Sequence, residues 1–221
     1  MAKISKSKVV ISLVGLLLLI TTSCFAGDRN QIQVQQCLNY ILGVSQDFNM
    51  NESSQVSILG KPVATQKQCL HYLLSVNPEP NITVTPEELV NQYYEEAGKE
   101  GVRPDIAFAQ ALKETGFFRY GGLVKGEQNN FCGLGSVGHQ ENGAWFESSR
   151  MGVRAHIQHL LAYATTRMPK SEVIDPRYYL IMNTAYFGQA KNWEDLNGRW
   201  AIPGYDYGQN ILKIYYEMLQ S

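Results

Sequence analysis

Positive charge and long apolar runs are both scarce in this sequence of 221 residues. The chain has 19 lysines and arginines against 20 acidic residues, and its formal net charge is −1. Nucleic acids and anionic membrane surfaces bind strongly basic proteins, so this balance argues against both as partners. The apolar run at residues 9–20 has about 12 residues, whereas a membrane-spanning helix needs ~20. A stable transmembrane anchor is therefore not expected.

Cysteine is scarce as well. The chain has 4 cysteines and no Cys-x-x-Cys pair, so a zinc ribbon is not indicated. Cys24 lies in the N-terminal leader, which leaves Cys37, Cys69 and Cys132. Export would allow Cys37 and Cys69 to form a disulfide, and the alternative is that both are small buried side chains. Cys132 is expected to stay unpaired.

Residues 1–26 have the three parts of a secretory signal peptide. Three lysines precede the apolar run, and the small residues Cys24 and Ala26 follow it. A signal peptidase could cut after Ala26. Alternatively, the sequence Thr-Thr-Ser-Cys24 resembles a lipobox, in which Cys24 would carry a lipid anchor. The protein is therefore predicted to be exported, and to be secreted, periplasmic or associated with the cell envelope.

Residues 27–84 are predicted to form an N-terminal helical segment with a weak repeat and a proline-rich linker. Residues 36–44 and 68–76 agree at about six of nine positions, and both have the apolar spacing of a short amphipathic helix. A single repetition is too little for a solenoid, which needs about three units. Two packed helices are the expected structure.

Residues 85–221 are predicted to form a mainly helical domain. Capping residues and prolines mark the helix starts, and glycines mark the ends. The loop at residues 117–147 is rich in glycine, asparagine and aromatic residues and is too long for an ordinary connection, so it should carry function or a small hairpin. The predicted helix starts are Thr85 with Pro86, Pro104, Ser148 or Ser149, and Tyr207.

Glu114 is the first candidate for catalysis. It lies at the end of a short apolar helix, beside Leu112, Phe117 and Phe118. The negative end of the helix and the apolar neighbours both disfavour a negative charge, so the pKa of Glu114 should be raised. A protonated carboxyl is the state in which a general acid protonates a glycosidic oxygen. The competing interpretation is a surface glutamate at a frayed helix end.

Five sequence blocks, in this order, resemble the glucosaminidase domain of bacterial cell-wall hydrolases, the family 73 type of glycoside hydrolase. The resemblance covers about 135 residues from Thr85 onward. It implies a lysozyme-like fold of the mainly α (α+β) class with a small β-lobe. It also implies an enzyme that acts on peptidoglycan glycan strands without a cofactor. The blocks are residues 107–116, 129–135, 152–163, 175–177, and 198–204 with 207–211.

The resemblance implies roles for individual acids and for one tyrosine. Glu114 takes the place of the general acid, and Tyr207 takes the place of a tyrosine that lines the sugar site. The competing interpretation of Tyr207 is an aromatic residue at a helix start that packs on Trp200. Glu127, which could be catalytic or structural, is the first candidate for a second catalytic carboxylate, with Glu141 and Glu147 as further candidates. A standard pair of carboxylates lies about 5–9.5 Å apart. The acetamido group of the substrate could instead act as the nucleophile.

Several other residues are predicted to contact the sugar. Aromatic faces stack on sugar rings, which makes Tyr120, Trp145 and Trp200 candidate platforms, although core packing is the competing interpretation. Asn130, in the block at residues 129–135, is predicted to bind substrate.

Two histidines raise the question of a metal site. His156 and His159 lie three residues apart on one predicted helix, a spacing that can ligate a metal. No cysteine or acidic residue supplies an evident third ligand. Hydrogen-bonding helix histidines are therefore expected, and no metal.

Three functional hypotheses follow from the sequence. The leading one is an exported endo-β-N-acetylglucosaminidase that cuts the peptidoglycan backbone with Glu114 as general acid. A lytic transglycosylase or muramidase would use the same fold and a single glutamate. A non-catalytic glycan-binding or wall-assembly protein with a retained cleft is the third hypothesis. The sequence does not determine which glycosidic bond is cut.

Overall fold

The computed structural model describes residues 55–135 and 143–221. Within these ranges the regular secondary structure is almost entirely helical, which confirms the predicted mainly α class. The helices are α1 Gln66–Val76, α2 Pro86–Glu100, α3 Pro104–Thr115, α4 Ser149–Ala164, α5 Tyr178–Met182 and α6 Tyr207–Leu219, with 3-10 turns at Gly126–Gln128 and Trp193–Leu196.

The predicted helix boundaries rest on local capping. The Thr85 hydroxyl accepts a hydrogen bond from the backbone N–H of Glu88 at 3.1 Å, where α2 begins. The Ser148 hydroxyl accepts one from Met151 at 3.3 Å, where α4 begins. Gly116 ends α3 with a φ of 59°, in the left-handed region that favours glycine.

The predicted small β-lobe is not shown. Among the described residues, β pairing is limited to isolated bridges. The part of the loop that should have formed the lobe has left-handed backbone at Asn129, Gly133 and Gly135, and such residues interrupt a strand ladder. This loop is closed instead by single hydrogen bonds, such as that from the N–H of Ala144 to the carbonyl of Leu134 at 2.7 Å.

One core joins these elements. Helix α2 packs against α4, and α3 packs against α6. Between them lies an aromatic cluster of Tyr93, Phe108, Phe118 and Phe131, whose ring centroids are 5.5–6.3 Å apart. All four side chains are fully buried, so the end of α3 and the loop after it are anchored in the core.

Residues before α2 belong to the same core. The side chains of Ile58, Cys69 and Leu73 are fully buried within it. The amide of Gln68 donates to the carbonyl of Leu219 at 2.7 Å, which ties α1 to the end of α6. The predicted division of the chain at residue 85 stays a prediction, and packing continues across it.

The N-terminal predictions concern residues outside the described ranges. These are the signal peptide, the candidate lipid anchor at Cys24 and the first half of the repeat. Cys69 and Cys132 are free buried thiols, and burial raises the pKa of Cys69 to about 12. Cys37 also lies outside the described residues, so a Cys37–Cys69 disulfide stays a prediction.

No helix in residues 55–135 or 143–221 combines the length and the apolar character needed to cross a membrane.

Candidate active site

A cleft of about 680 Å³ opens at the C-terminal end of α3. Three of the predicted site residues, Glu114, Tyr120 and Trp200, line it. Tyr207 is buried directly behind Glu114. The remaining lining residues are Thr115, Gly116, Gly122, Leu123, Val124, Cys132, Gly133, Leu134, Gly135, His159, Tyr163, Arg177, Arg199, Ala201 and Ile202.

Glu114 and Tyr207 form the central contact. The Tyr207 hydroxyl donates to Oε1 of Glu114 at 2.6 Å. Lys113 Nζ lies 3.9 Å from the same oxygen and 4.5 Å from the centre of the Tyr207 ring. Burial raises the pKa of Glu114, while the hydrogen bond from Tyr207 and the charge of Lys113 oppose that rise without cancelling it. The site therefore favours the protonated acid more than water does.

A chain of buried hydrogen bonds continues behind Tyr207. The side-chain nitrogen of Gln110 donates to the Tyr207 hydroxyl at 2.8 Å. The side-chain oxygen of Gln110 is 2.9 Å from His156 Nε2, and His156 Nδ1 is 2.9 Å from the hydroxyl of Tyr93. Gln110, His156 and Tyr93 are fully buried. We call Tyr93, His156, Gln110 and Tyr207 the relay.

The relay has one direction. An amide nitrogen donates and an amide oxygen accepts, so Gln110 requires the proton of His156 to be on Nε2. Nδ1 of His156 then accepts from Tyr93. Burial and the neighbouring His159 lower the pKa of His156 to about 3, which keeps the ring neutral. Every member therefore donates towards Glu114, and the proton of the acid is left to Oε2, the oxygen that Tyr207 does not occupy.

The turn after Glu114 has a strained backbone. Phe117, Phe118 and Tyr120 have φ values of 59°, 58° and 56°, and such non-glycine residues cost about 1–3 kcal/mol each. Thr115 holds the turn, since its hydroxyl accepts from the N–H of Phe118 at 2.9 Å and its carbonyl accepts from that of Tyr120 at 2.8 Å. The turn brings Tyr120 back to the cleft that Glu114 lines.

Trp200 packs against the relay and also lines the cleft. Its ring stacks on Tyr207 at 6.4 Å with an interplanar angle of 16°, and contacts His159 at 4.8 Å. Core packing and sugar contact are thus compatible for this residue.

Both ring nitrogens of His156 are hydrogen bonded within the relay, so this ring has no nitrogen left for a metal.

A second cavity, of about 580 Å³, holds other predicted residues. Glu127, Trp145 and Glu147 line it, and none of them lines the Glu114 cleft. Trp145 is 67% exposed. Glu141 lies outside the described residues. Among the described residues that line the Glu114 cleft, Glu114 is the only acid.

Asn130 occupies a different kind of position from the one predicted. It is 1% exposed and lines neither cavity. Its side-chain nitrogen donates to the carbonyls of Leu134 and Ala144 at 2.8 and 3.2 Å, and its oxygen accepts from the N–H of Leu134 at 2.9 Å. The amide is occupied within the loop, so the geometry supports bracing of the cleft wall instead of direct substrate contact.

Sequence reasoning did not connect Gln110 or His156 with Glu114. Gln110 precedes Glu114 by four residues, and residues four apart share a helix face, so this spacing was a readable signal. No local pattern connects His156 or Tyr93 with the acid, because both lie on other helices.

Comparison with known proteins identifies the family of this chain. An uncharacterized protein of Borreliella burgdorferi is 39% identical over 132 residues, which cover 60% of this chain and 62% of that relative. No solved structure gives a significant match. The family described as mannosyl-glycoprotein endo-beta-N-acetylglucosaminidase matches residues 90–220. Since that match spans more than half of the chain, the protein belongs to the glucosaminidase family.

Proposed function

We propose that the protein is an exported endo-β-N-acetylglucosaminidase that hydrolyses the glycan backbone of peptidoglycan, with Glu114 as general acid. Family membership supports glycan hydrolysis. The single observation that carries the role of Glu114 is its place in the cleft with a hydrogen bond from Tyr207 at 2.6 Å. Export rests on the signal-peptide pattern of residues 1–26.

In this mechanism Oε2 of Glu114 gives its proton to the glycosidic oxygen as the bond to the anomeric carbon breaks. The carboxylate that remains keeps the Tyr207 hydrogen bond on Oε1. Hydrogen bonds to ionised groups are stronger than neutral ones, so this contact strengthens as the proton leaves. Tyr207 is thus the residue that stabilises the acid after transfer.

The nucleophile is proposed to come from the substrate. The described lining of the cleft offers one carboxyl, and a standard pair of acids needs a second at about 5–9.5 Å. The carbonyl oxygen of the 2-acetamido group can attack the anomeric carbon as the leaving sugar departs. This attack forms a five-membered oxazolinium ring. Water then attacks the anomeric carbon while Glu114 takes a proton from it, and the bond from that carbon to the acetamido oxygen breaks, which regenerates the acetamido group.

A lytic transglycosylase or muramidase is the second candidate, and the single described acid of the cleft is what favours it. Digestion of purified peptidoglycan, followed by mass spectrometry of the products, separates the candidates. Reducing-end N-acetylglucosamine supports the proposed function. Reducing-end N-acetylmuramic acid indicates a muramidase, and its anhydro form indicates a transglycosylase. Glycan binding without any cleavage by the wild type would support the non-catalytic hypothesis.

A further inference from the structure

The arginines of the described residues differ in whether they have partners. Five of the seven have guanidinium groups that donate hydrogen bonds to carboxylate or carbonyl oxygens. Arg177 and Arg199 have no guanidinium hydrogen bond or ion pair with any described residue, and both line the Glu114 cleft. The guanidinium carbon of Arg199 lies over the ring of Tyr186, 5.9 Å from its centroid.

An unpartnered guanidinium in a cleft calls for an explanation. Nη1 of Arg199 is buried and has no hydrogen-bond partner among the described residues. Leaving a buried charged donor unpaired is costly, so such a group is expected to have a ligand. The fork of N–H groups on arginine matches the two oxygens of a carboxylate.

Both arginines line the cleft together with Tyr163. Burial raises the pKa of Tyr163, and the positive charges of Arg177 and Arg199 both oppose that rise. Asp175 also acts on Tyr163, and its oxygens form hydrogen bonds with His159 Nδ1 and the backbone N–H of Arg177, both at 2.8 Å. Neither guanidinium forms an ion pair with a described acid.

We propose that Arg177 and Arg199 form a carboxylate-binding subsite, so that the cleft selects a glycan that carries carboxylates over a neutral glycan. This inference rests on the proposed function, because it places the anionic part of the substrate beside Glu114. Two sources of the anion share the required chemistry: a lactyl carboxylate on the sugar, and a carboxylate of an attached peptide. A polymer of N-acetylglucosamine alone offers neither.

Calorimetric titration of the Glu114→Gln protein with three tetrasaccharides tests the subsite. One is a neutral N-acetylglucosamine oligomer, one carries free lactyl carboxylates, and one carries lactyl-linked peptide. We expect at least one acidic ligand to bind about tenfold more tightly than the neutral one, the range of a charge-assisted pair. Adding Arg177→Gln and Arg199→Gln together should abolish that preference and leave neutral binding within about twofold.

The control is the pair Lys67→Gln and Lys213→Gln, which removes the same charge from exposed positions outside the cleft. It should keep the preference, and melting temperatures check that every variant folds. Equal wild-type affinity for neutral and acidic ligands, or a preference that survives the double arginine change, overturns the subsite. Arginine-dependent acidic binding without wild-type cleavage would instead support the subsite and count against the hydrolase. Cleavage by the wild type without a preference for acidic ligands would support the hydrolase and count against the subsite.

The relay carries a second, independent inference. We infer that Gln110 and His156 are positioning residues, which keep the Tyr207 hydroxyl donating to Glu114. Loss of the imidazole frees the amide of Gln110 to turn, and its oxygen then competes with Glu114 for the Tyr207 proton. Among the described residues, Lys113 and Cys132 also interact electrostatically with Glu114. The cleft that Glu114 lines also has the titratable or charged side chains of Tyr120, His159, Tyr163, Arg177 and Arg199.

The test compares His156→Leu with His156→Gln on the wild-type background. Because the Tyr207 hydrogen bond lowers the pKa of Glu114, its loss in His156→Leu should raise that pKa. The alkaline limb of kcat should then move to higher pH, with kcat about tenfold lower and KM nearly unchanged. His156→Gln retains an N–H donor for Gln110 and should restore both values.

A purely structural role for His156 would lower the folded fraction without moving the pH profile. Tyr93→Phe provides a second variant that removes one oxygen atom from the far end of the relay, and it should shift the alkaline limb in the same direction. An unmoved limb in folded His156→Leu and Tyr93→Phe proteins, or a His156→Gln protein as impaired as His156→Leu, would overturn the inference.

Discussion

The residues that the sequence assigned to one site line two separate cavities. The two cavities differ in their charged residues and in the buried hydrogen bonds behind their acids. The Glu114 cleft has one described acid and two arginines whose guanidinium groups form no hydrogen bond or ion pair with a described residue. The second cavity is lined by Glu88, Glu127 and Glu147. Its one arginine, Arg150, is paired with Glu95 and Glu96. The second cavity has more carboxylates, but the hydrogen bonds of the relay lead to Glu114 and not to any of them.

This difference shows that environment, and not the number of acids, marks a candidate general acid. The Glu114 side chain is 22% exposed, whereas Glu127 is exposed on a 3-10 turn. Burial, the fixed donor Tyr207 and the charge of Lys113 together set the protonation state of Glu114.

The two acids should respond very differently to the same change. Glu114→Gln is expected to lower glycan cleavage by at least about 10²-fold, the scale of losing general acid catalysis. Glu127→Gln should stay within about threefold of wild type. Product release from peptidoglycan measures both, with melting temperature as the folding control. A large loss in Glu127→Gln would place the second cavity in the active site.

Residues of helix α4 line both cavities, and Gly152 of this helix lies close to the loop residue Asn129. A Cβ added to Gly152 would lie 1.7 Å from the carbonyl oxygen of Asn129, so Gly152→Ala must displace backbone. Overpacking of this kind lowers the free energy of unfolding by about 1–3 kcal/mol. Gly98→Ala is the control, because Gly98 is an exposed helical glycine with no atom within 4 Å.

Denaturant unfolding of both glycine variants measures the difference. Gly98→Ala should leave the protein unchanged or stabilise it by up to about 1 kcal/mol, since alanine is the better helix former. Equal stability of the two variants would mean that α4 and the loop are not in close contact.

The hydroxyl of Tyr207 should matter for activity more than for stability. Tyr207→Phe removes the hydrogen bond that lowers the pKa of Glu114, so the pKa should rise and the alkaline limb of kcat should move to higher pH. We expect kcat to fall about tenfold, close to the value of one hydrogen bond to a charged group. A pH series of initial rates decides this. Loss of stability with unchanged specific activity would make Tyr207 a packing residue.

Trp145 should have the smallest effect. Because it is 67% exposed and lies in the second cavity, Trp145→Ala should leave the melting temperature unchanged. Stacking of one sugar on this ring would change KM by only a few-fold, and kcat should not change. A kcat loss comparable with that of Tyr207→Phe would contradict the separation of the two cavities.

Local features of the fold were readable from the sequence. Capping residues and apolar spacing within a few positions predict three of these features: the start of α2 at Pro86, the left-handed end of α3 at Gly116, and the whole of α6. The placement of Glu114 near the end of an apolar helix is of the same kind. The β-lobe stays a prediction, because residues 136–142 of that loop lie outside the described ranges and its described part has left-handed residues such as Asn129.

The candidate site was readable only in part. The sequence by itself determined which residue is the candidate acid, since the helix end and the apolar neighbours lie beside Glu114 in the chain. Only the tertiary structure decided that Tyr207 donates to this acid, that Asn130 braces the loop, and that Glu127 lines another cavity. The reason is physical: caps and helix faces are set by groups a few residues apart, whereas these relations join positions tens of residues apart. Their distances depend on how α3, α4, α6 and the intervening loop pack around one core.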